Sequence, residues 1–226
     1  METVPVVCPR CGHTQPEPRT AYSGICKKCQ AHFRLAEALN PAPHPPPPVF
    51  EQRLVQCFQC GAELMVAAAA ASTMCKRCSS YVDLADYHVT QTVSKSFRTH
   101  GRLVIEEKGY VLNTDALVGD AVIKGRLIGK IEARRALEIH STAHIKGSFT
   151  AGRLVVPAGQ NFRWPEIVRA GCAEIAGELV ANLQVAGCVR LHSTARLFGN
   201  VQAGGLVVAA GAVWVGAGRI SPPSQV

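Results

Sequence analysis

The chain has 226 residues, with 24 lysines and arginines against 16 aspartates and glutamates and a formal net charge of +8. Apolar residues make up 47% but aromatics only 6%, so its interior draws on Ala, Val, Leu and Ile and suits thin stacked layers better than a bulky globular core. The longest apolar run, Leu64–Ala71, is far below the ~20 residues of a membrane-spanning helix, and Met1 is followed by no apolar stretch of the kind a secretory signal carries.

A cytoplasmic location is therefore expected, and there paired cysteines more often mean metal than disulfides. Cys8 and Cys11 form one CxxC and Cys26 and Cys29 a second. The same unit returns 49 positions later as Cys57, Cys60, Cys75 and Cys78. Two cysteines separated by two residues sit on one tight turn that aims both thiolates at one ion, and two such knuckles complete a four-sulfur tetrahedron for Zn²⁺. Gly12 and Gly61 follow the first knuckle of each copy and supply its bend. With every position taken by a thiolate, the expectation is two structural zinc sites with no catalytic opening. His13 and His32 then lie outside the ligand sets, as surface residues.

Two other arrangements are compatible with the spacing. A redox dithiol would call for one CxxC in a βαβ context, which is missing. In a cross-braced pair, Cys8 and Cys11 would share an ion with Cys57 and Cys60, which the Pro-rich segment between the copies opposes. The modules resemble zinc ribbons over Cys8 to Glu37 and Cys57 to Asp86, and that resemblance implies metal-stabilised modules that bind proteins or nucleic acid. Lys27, Lys28, Lys76 and Arg77 sit inside the second knuckles, where they either meet phosphates or offset the charge of a zinc tetrathiolate.

Residues 1–39 are thus module 1 and 51–87 module 2. Between them, 40–50 (NPAPHPPPPVF from Asn40) predicts a semi-rigid polyproline spacer. Residues 88–101 read as a connector, 102–220 as a repeat domain and 221–226 as a C-terminal tail that caps it only weakly. In the repeats, apolar pairs recur at Leu103/Ile105, Ala121/Ile123, Leu137/Ile139, Leu154/Val156, Ala173/Ile175, Val189/Leu191 and Leu206/Val208. The stretch LEIHSTAHIKGSFTAGRLVVPAG from Leu137 returns as VRLHSTARLFGNVQAGGLVVAAG from Val189. A fixed period of this kind marks units that bury their apolar faces only by stacking. From Leu117 to Ala133 small and apolar residues fall on one parity and Asp120, Lys124, Arg126, Lys130 and Glu132 on the other, so the units are strands with one buried face. Short strands broken by glycines every ~17 residues predict an all-β fold, a parallel β-helix of three short sides behind two small modules.

Details inside the repeats complete the expectation. Cys172 and Cys188 should stack in consecutive rungs as partly buried free thiols. His140 and His192 are repeat equivalents facing outward without a visible acid, base or nucleophile partner. The long rung carries Gln160 to Glu166, with Phe162 and Trp164, as a bulge or looped-out insertion.

The repeats resemble the bactofilins, bacterial cytoskeletal proteins, through ALVGDAVIKGRLIGKIEA from Ala116 and ALEIHSTAHIKGSFTAGRLVV from Ala136. The resemblance implies a right-handed three-sided β-helix and end-to-end polymerisation without nucleotide. Typical members carry a short tail, often membrane-targeting, where this chain has two cysteine modules, so attachment to the inner membrane face stays open.

The expected function is a non-enzymatic scaffold that polymerises with itself, the zinc modules recruiting protein partners or controlling assembly. The expected interface is Leu103 and Ile105 at the first rung with Val207, Val213, Trp214 and Val215 at the last, because end rungs leave backbone groups unpaired. The alternatives are a nucleic-acid-binding protein, to which the 16 basic and 9 acidic residues beyond Thr90 would contribute, and a hexapeptide-repeat acyltransferase, whose six-residue frame the rung spacing breaks.

Overall fold

The computed structural model describes residues 2–35 and 51–221, and its elements there are twenty strands. The Pro-rich spacer and residues 222–226 of the tail lie outside the described residues. The chain divides into two units, Met1–Phe50 and Glu51–Val226.

The first unit holds two antiparallel hairpins, β1 (Thr3–Val7) with β2 (Thr14–Pro18) and β3 (Ser23–Ile25) with β4 (His32–Arg34). Its core is a cluster of Val6, Cys8, Cys26, Phe33 and Leu35. The second unit opens on the same plan, β5 (Gln52–Gln56) with β6 (Glu63–Ala67) and β7 (Ser72–Met74) with β8 (Tyr81–Asp83). There Val55, Leu64, Val66, Val82 and Leu84 pack around Cys57 and Cys75. In each module the strands form two separate two-stranded sheets, and two-stranded hairpins are marginal by themselves. A shared centre has to tie them together.

The remainder of the second unit is a β-solenoid of about eight turns. Its strands are β9 (Tyr87–Val89), β10 (Thr92–Val93), β11 (Arg102–Ile105), β12 (Tyr110–Ile123), β13 (Arg126–Ile139), β14 (His144–Val156), β15 (Asn161–Ile175), β16 (Glu178–Leu191), β17 (Arg196–Phe198), β18 (Val201–Val208), β19 (Val213–Val215) and β20 (Gly218–Ile220). Their pairing is parallel throughout. Leu103 stands opposite Ala121, Ala121 opposite Leu137, and the register continues through Leu154, Ala173 and Val189 to Leu206. The seven pairs read from the sequence are therefore one column of the interior.

Each full turn has three sides. In β13 they are Arg126–Ile128, Lys130–Ala133 and Ala136–Ile139, bent at Gly129 and at Arg134–Arg135. Leu127, Ile131, Ala133, Leu137 and Ile139 all point inward with no solvent exposure. Full burial of each larger side chain contributes about 1.5–3 kcal/mol, repeated in every turn. At the bend, Gly129 and Gly147 stack in register with φ of 135° and 131°. A Cβ on Gly147 would lie 2.0 Å from the carbonyl oxygen of Gly129, so position 147 admits only glycine, whereas the member of the column before Gly129 is Thr114.

Three expectations change. The presumed connector 88–101 is part of the solenoid: β9 pairs with β11 and β10 with β12, adding a turn before the first one counted. Leu103 and Ile105 consequently sit between two turns with no exposure and belong to the interior, not to an end. The inward parity also differs in β12, where Ala116 and Val118 are buried and Leu117 is not. A register shift between Val118 and Asp120 flips the parity at that corner, which restores Ala121 and Ile123 to the inside.

Candidate metal centres and assembly edge

The four knuckles share one backbone plan. Cys8, Cys26, Cys57 and Cys75 each accept from the N–H four residues on, that of Gly12, Gln30, Gly61 and Ser79, at 2.8–3.0 Å. Those four residues all adopt left-handed conformations, φ 68°, 57°, 69° and 57°. Glycine takes that conformation freely, whereas an L-residue pays for it. Sequence inspection identified Gly12 and Gly61; Gln30 and Ser79 carried no composition signal.

The turns bring the sulfurs together. Cys8 Sγ lies 3.8 Å from Cys29 Sγ, and Cys11 Sγ 3.6 Å from Cys26 Sγ. In the second module Cys57–Cys78 and Cys60–Cys75 are both 3.6 Å apart. All four sulfurs of each set lie within 4.8 Å of one another. These separations exceed a disulfide bond of about 2.05 Å and match the ~3.8 Å edge of a tetrahedron with metal–sulfur bonds of about 2.3 Å. Each set could hold one metal ion, and each draws its four cysteines from one module. All ten cysteines are free.

The thiols are also electrostatically divided. Burial opposes ionisation of Cys26, yet the N–H groups of Cys29 and Lys28 and the thiols of Cys11 and Cys29 bring it down to about 6. The hydroxyl and N–H of Ser80 bring Cys78 down to about 6 against its burial. Cys11 and Cys60 receive help from the N–H of His13 and Ala62, but burial and the neighbouring thiols push both up to about 12. Four crowded thiols cannot all ionise by themselves, and a divalent cation removes that conflict.

The modules tie their hairpins differently. Buried Gln15 donates to Ile25 O and accepts from Lys27 N–H at 3.0 and 2.8 Å, linking β2 to the second knuckle. Its counterpart 49 positions on is Leu64, which joins the apolar cluster. Lys27, Lys28, Lys76 and Arg77 are exposed. His32 is exposed and His13 half-buried.

Module 2 packs on the solenoid. The Phe58 ring stacks on His100, centroids 4.1 Å apart, and His100 Nε2–H donates to Gln56 O at 2.6 Å. The Arg134 guanidinium lies 4.9 Å from the Phe58 centroid. At the end of β8, Asp83 bridges to Thr99 as a parallel strand would, and its carbonyl accepts from His100 N–H at 2.9 Å.

The two ends of the solenoid differ. At the N-terminal end the inward residues Val89, Phe97 and Thr99 are buried. Tyr87 and Phe97 meet edge to face at 5.4 Å under the Lys95 ammonium, and the Asp83 carboxylate accepts the Tyr87 hydroxyl at 2.5 Å. At the other end the inward positions of the last turn are Leu206, Val208, Trp214 and Ile220, from their register with Val189, Leu191, Leu197 and Ala203. Leu191 and Ala203 are 0% and 2% exposed, whereas Val208 and Ile220 are 47% and 49% exposed. Among the described residues of this turn, Leu206, Ala212 and Trp214 pack against the core, and the Trp214 indole donates to Gly199 O at 3.1 Å. Val207, Val213 and Val215 are exposed on the outward parity of the same edge strands.

Comparison with known proteins agrees with this architecture. Residues 82–163 match the family model Bactofilin, described as polymer-forming cytoskeletal. This stretch is a bactofilin domain. No curated protein and no solved structure matches the chain. The bactofilin match runs from β8 into β15, and the later turns continue its register to Ile220. Among the described residues no helix is long and apolar enough to cross a membrane.

Other sequence features fall along the bactofilin domain and its continuation. His140 does have a partner, the Glu138 carboxylate at 2.7 Å, because residues two apart on a strand share a face. Its repeat identity with His192 holds: their N–H groups bond Ile123 O and Ile175 O, and both carbonyls accept from the residue three positions on. Cys172 is exposed rather than partly buried, and Cys188 is half-buried. The long rung is a bulge: Arg163 faces Val180 and Ile167 faces Asn182, leaving two extra residues. Trp164 there packs on Phe149, centroids 4.8 Å apart.

Proposed function

We propose that the chain is a non-enzymatic scaffold that assembles into filaments through its solenoid, with a structural zinc ion in each cysteine module. The last turn, uncovered among the described residues, carries this reading. Its inward residues are the next layer of the solenoid core, and among the described residues its three strands, β20 and β19 together with Gly205–Val208 of β18, present an open backbone edge. The family's description as polymer-forming supports the same conclusion. Four thiolates per site, tetrahedral spacing and, among the described residues, no fifth donor in either cluster favour zinc held for structure. The modules recruit protein partners or regulate assembly.

Electron microscopy of zinc-loaded protein tests the reading. Filaments or paired particles that disappear in a Val208→Asp, Ile220→Asp variant support it. Assembly unchanged by those carboxylates contradicts it, as does a chain that is monomeric at every concentration.

A further inference from the structure

We propose that the second cysteine module is an assembly gate. Docked, it keeps the N-terminal end of the solenoid shut, so that two copies meet only through their C-terminal turns; released, it frees the N-terminal edge and lets those pairs join into longer polymers. This rests on the reading above that the last turn is an association edge.

Three observations support the gate. First, the N-terminal edge is already occupied by the chain itself. On the side formed by residues 97–100, Asp83 takes the position of a preceding strand: it bridges to Thr99 and accepts from His100 N–H, while Thr99 Oγ1 donates to Ala85 O at 2.7 Å. Another chain cannot add there while module 2 stays in place, because those groups are spent. The Asp83 carboxylate also holds the Tyr87 hydroxyl and the Ala85 N–H, so displacing β8 also unties the Tyr87–Phe97 plug.

Second, the docking of module 2 is built to be reversible. Beyond Asp83 and Ala85 it consists of one ring stack and one cation–ring contact at Phe58, with His100 and Arg134, and two hydrogen bonds, Gln56 O accepting from His100 and the Asp86 carboxylate from the Arg102 N–H. Phe58 lies inside the CxxC of Cys57 and Cys60, so the docking ring is presented by the knuckle itself. A change in the state of that centre is transmitted directly to the contact.

Third, the opposite edge fits a second copy of itself. From Gly205 to Ile220 the only charged residue is Arg219. The exposed inward side chains Val208 and Ile220 need the cover that a further turn provides. Two such edges meeting about a two-fold axis bury both at once, and an isologous contact of this kind closes at two subunits unless a second surface is free.

The test is sedimentation velocity on zinc-loaded full chain, comparing wild type, Phe58→Ala, Arg134→Glu and the double variant, each checked for two bound metal ions. Arg134 is exposed on the solenoid, so its substitution leaves module 2 intact and guards against a folding defect at Phe58. The gate predicts a wild type dominated by particles of twice the chain mass and a shift of most of the double variant into larger polymers. A double variant that stays at twice the chain mass overturns the gate and leaves the C-terminal edge standing. A wild type that already forms long polymers also overturns the gate alone. Monomers in every sample overturn both the gate and the assembly reading.

Discussion

Phe58 and His100 lie ring on ring, 8° from parallel, joining a cysteine knuckle to the first turn of the solenoid. Burial holds His100 below the ordinary histidine range, only partly offset by its hydrogen bond to Gln56 O and reinforced by the nearby guanidiniums of Arg134, Arg135 and Arg53. A depressed histidine pKa means that the undocked state binds the proton more tightly. Docking is therefore at full strength above about pH 6.5, the free value, and weakens as pH falls through it. Protection of the His100 N–H, which bonds Asp83 O, should fall relative to its intrinsic exchange rate on acidification from about pH 7.5 to 6. A His100→Gln variant, which keeps an N–H donor but does not titrate, should flatten that response. An unchanged pH response in that variant would place the titrating group elsewhere than His100.

Metal removal should act on the modules and spare the solenoid. Each module buries a handful of apolar side chains, while structural zinc contributes on the order of 10–16 kcal/mol of binding free energy. Excess chelator should unfold both modules and leave the parallel stack intact, seen in the Val208→Asp, Ile220→Asp variant, which cannot join through its last turn, as loss of module resonances in an otherwise preserved amide spectrum. Cys26→Ser should reduce bound metal from two ions to one. Metal content still at two per chain would show that the four sulfurs do not act as a set.

The glycines should separate into two classes. Gly12→Ala meets no atom within 4 Å, so only the left-handed backbone costs, about 1–2 kcal/mol. Gly147→Ala drives a methyl to 2.0 Å from a neighbouring carbonyl oxygen and should cost about 3 kcal/mol or more. Denaturant melts of module and solenoid signals would read the two separately. Equal losses at both sites would contradict the corner packing.

Gln30→Gly and Ser79→Gly should stabilise their knuckles. Each replaces a strained left-handed residue, and the gain is about 0.5–1 kcal/mol after glycine's larger chain entropy is deducted. Competition with a metal-buffered chelator would show slightly tighter metal retention. Weaker retention would mean that these side chains contribute more than their backbone conformation costs.

The sequence made the stacked column legible because like residues recur at nearly constant spacing, from Leu103 to Leu206. It made the cysteine sets legible because their spacing is duplicated. The first turn was hidden because Tyr87, Val89, Val93, Phe97 and Thr99 replace the aliphatic pair pattern with aromatics and a hydroxyl, as a terminal unit does. Parity in β12 was misread because a register shift interrupts period two. The docking of module 2 left no local pattern at all, since Phe58, His100 and Arg134 are distant in sequence and meet only through the fold. The distinction at the last turn between inward Val208 and Ile220 and outward Val213 and Val215 likewise needed the register.

The most direct measurement is the solution mass of zinc-loaded protein and of its Val208→Asp, Ile220→Asp variant over a concentration series. The substitutions touch only the final turn, and solenoid turns depend mainly on their neighbours, so both samples should show the same cooperative melt. The account predicts an associating wild type and a variant at the mass of one chain. A variant that associates as the wild type does would contradict it.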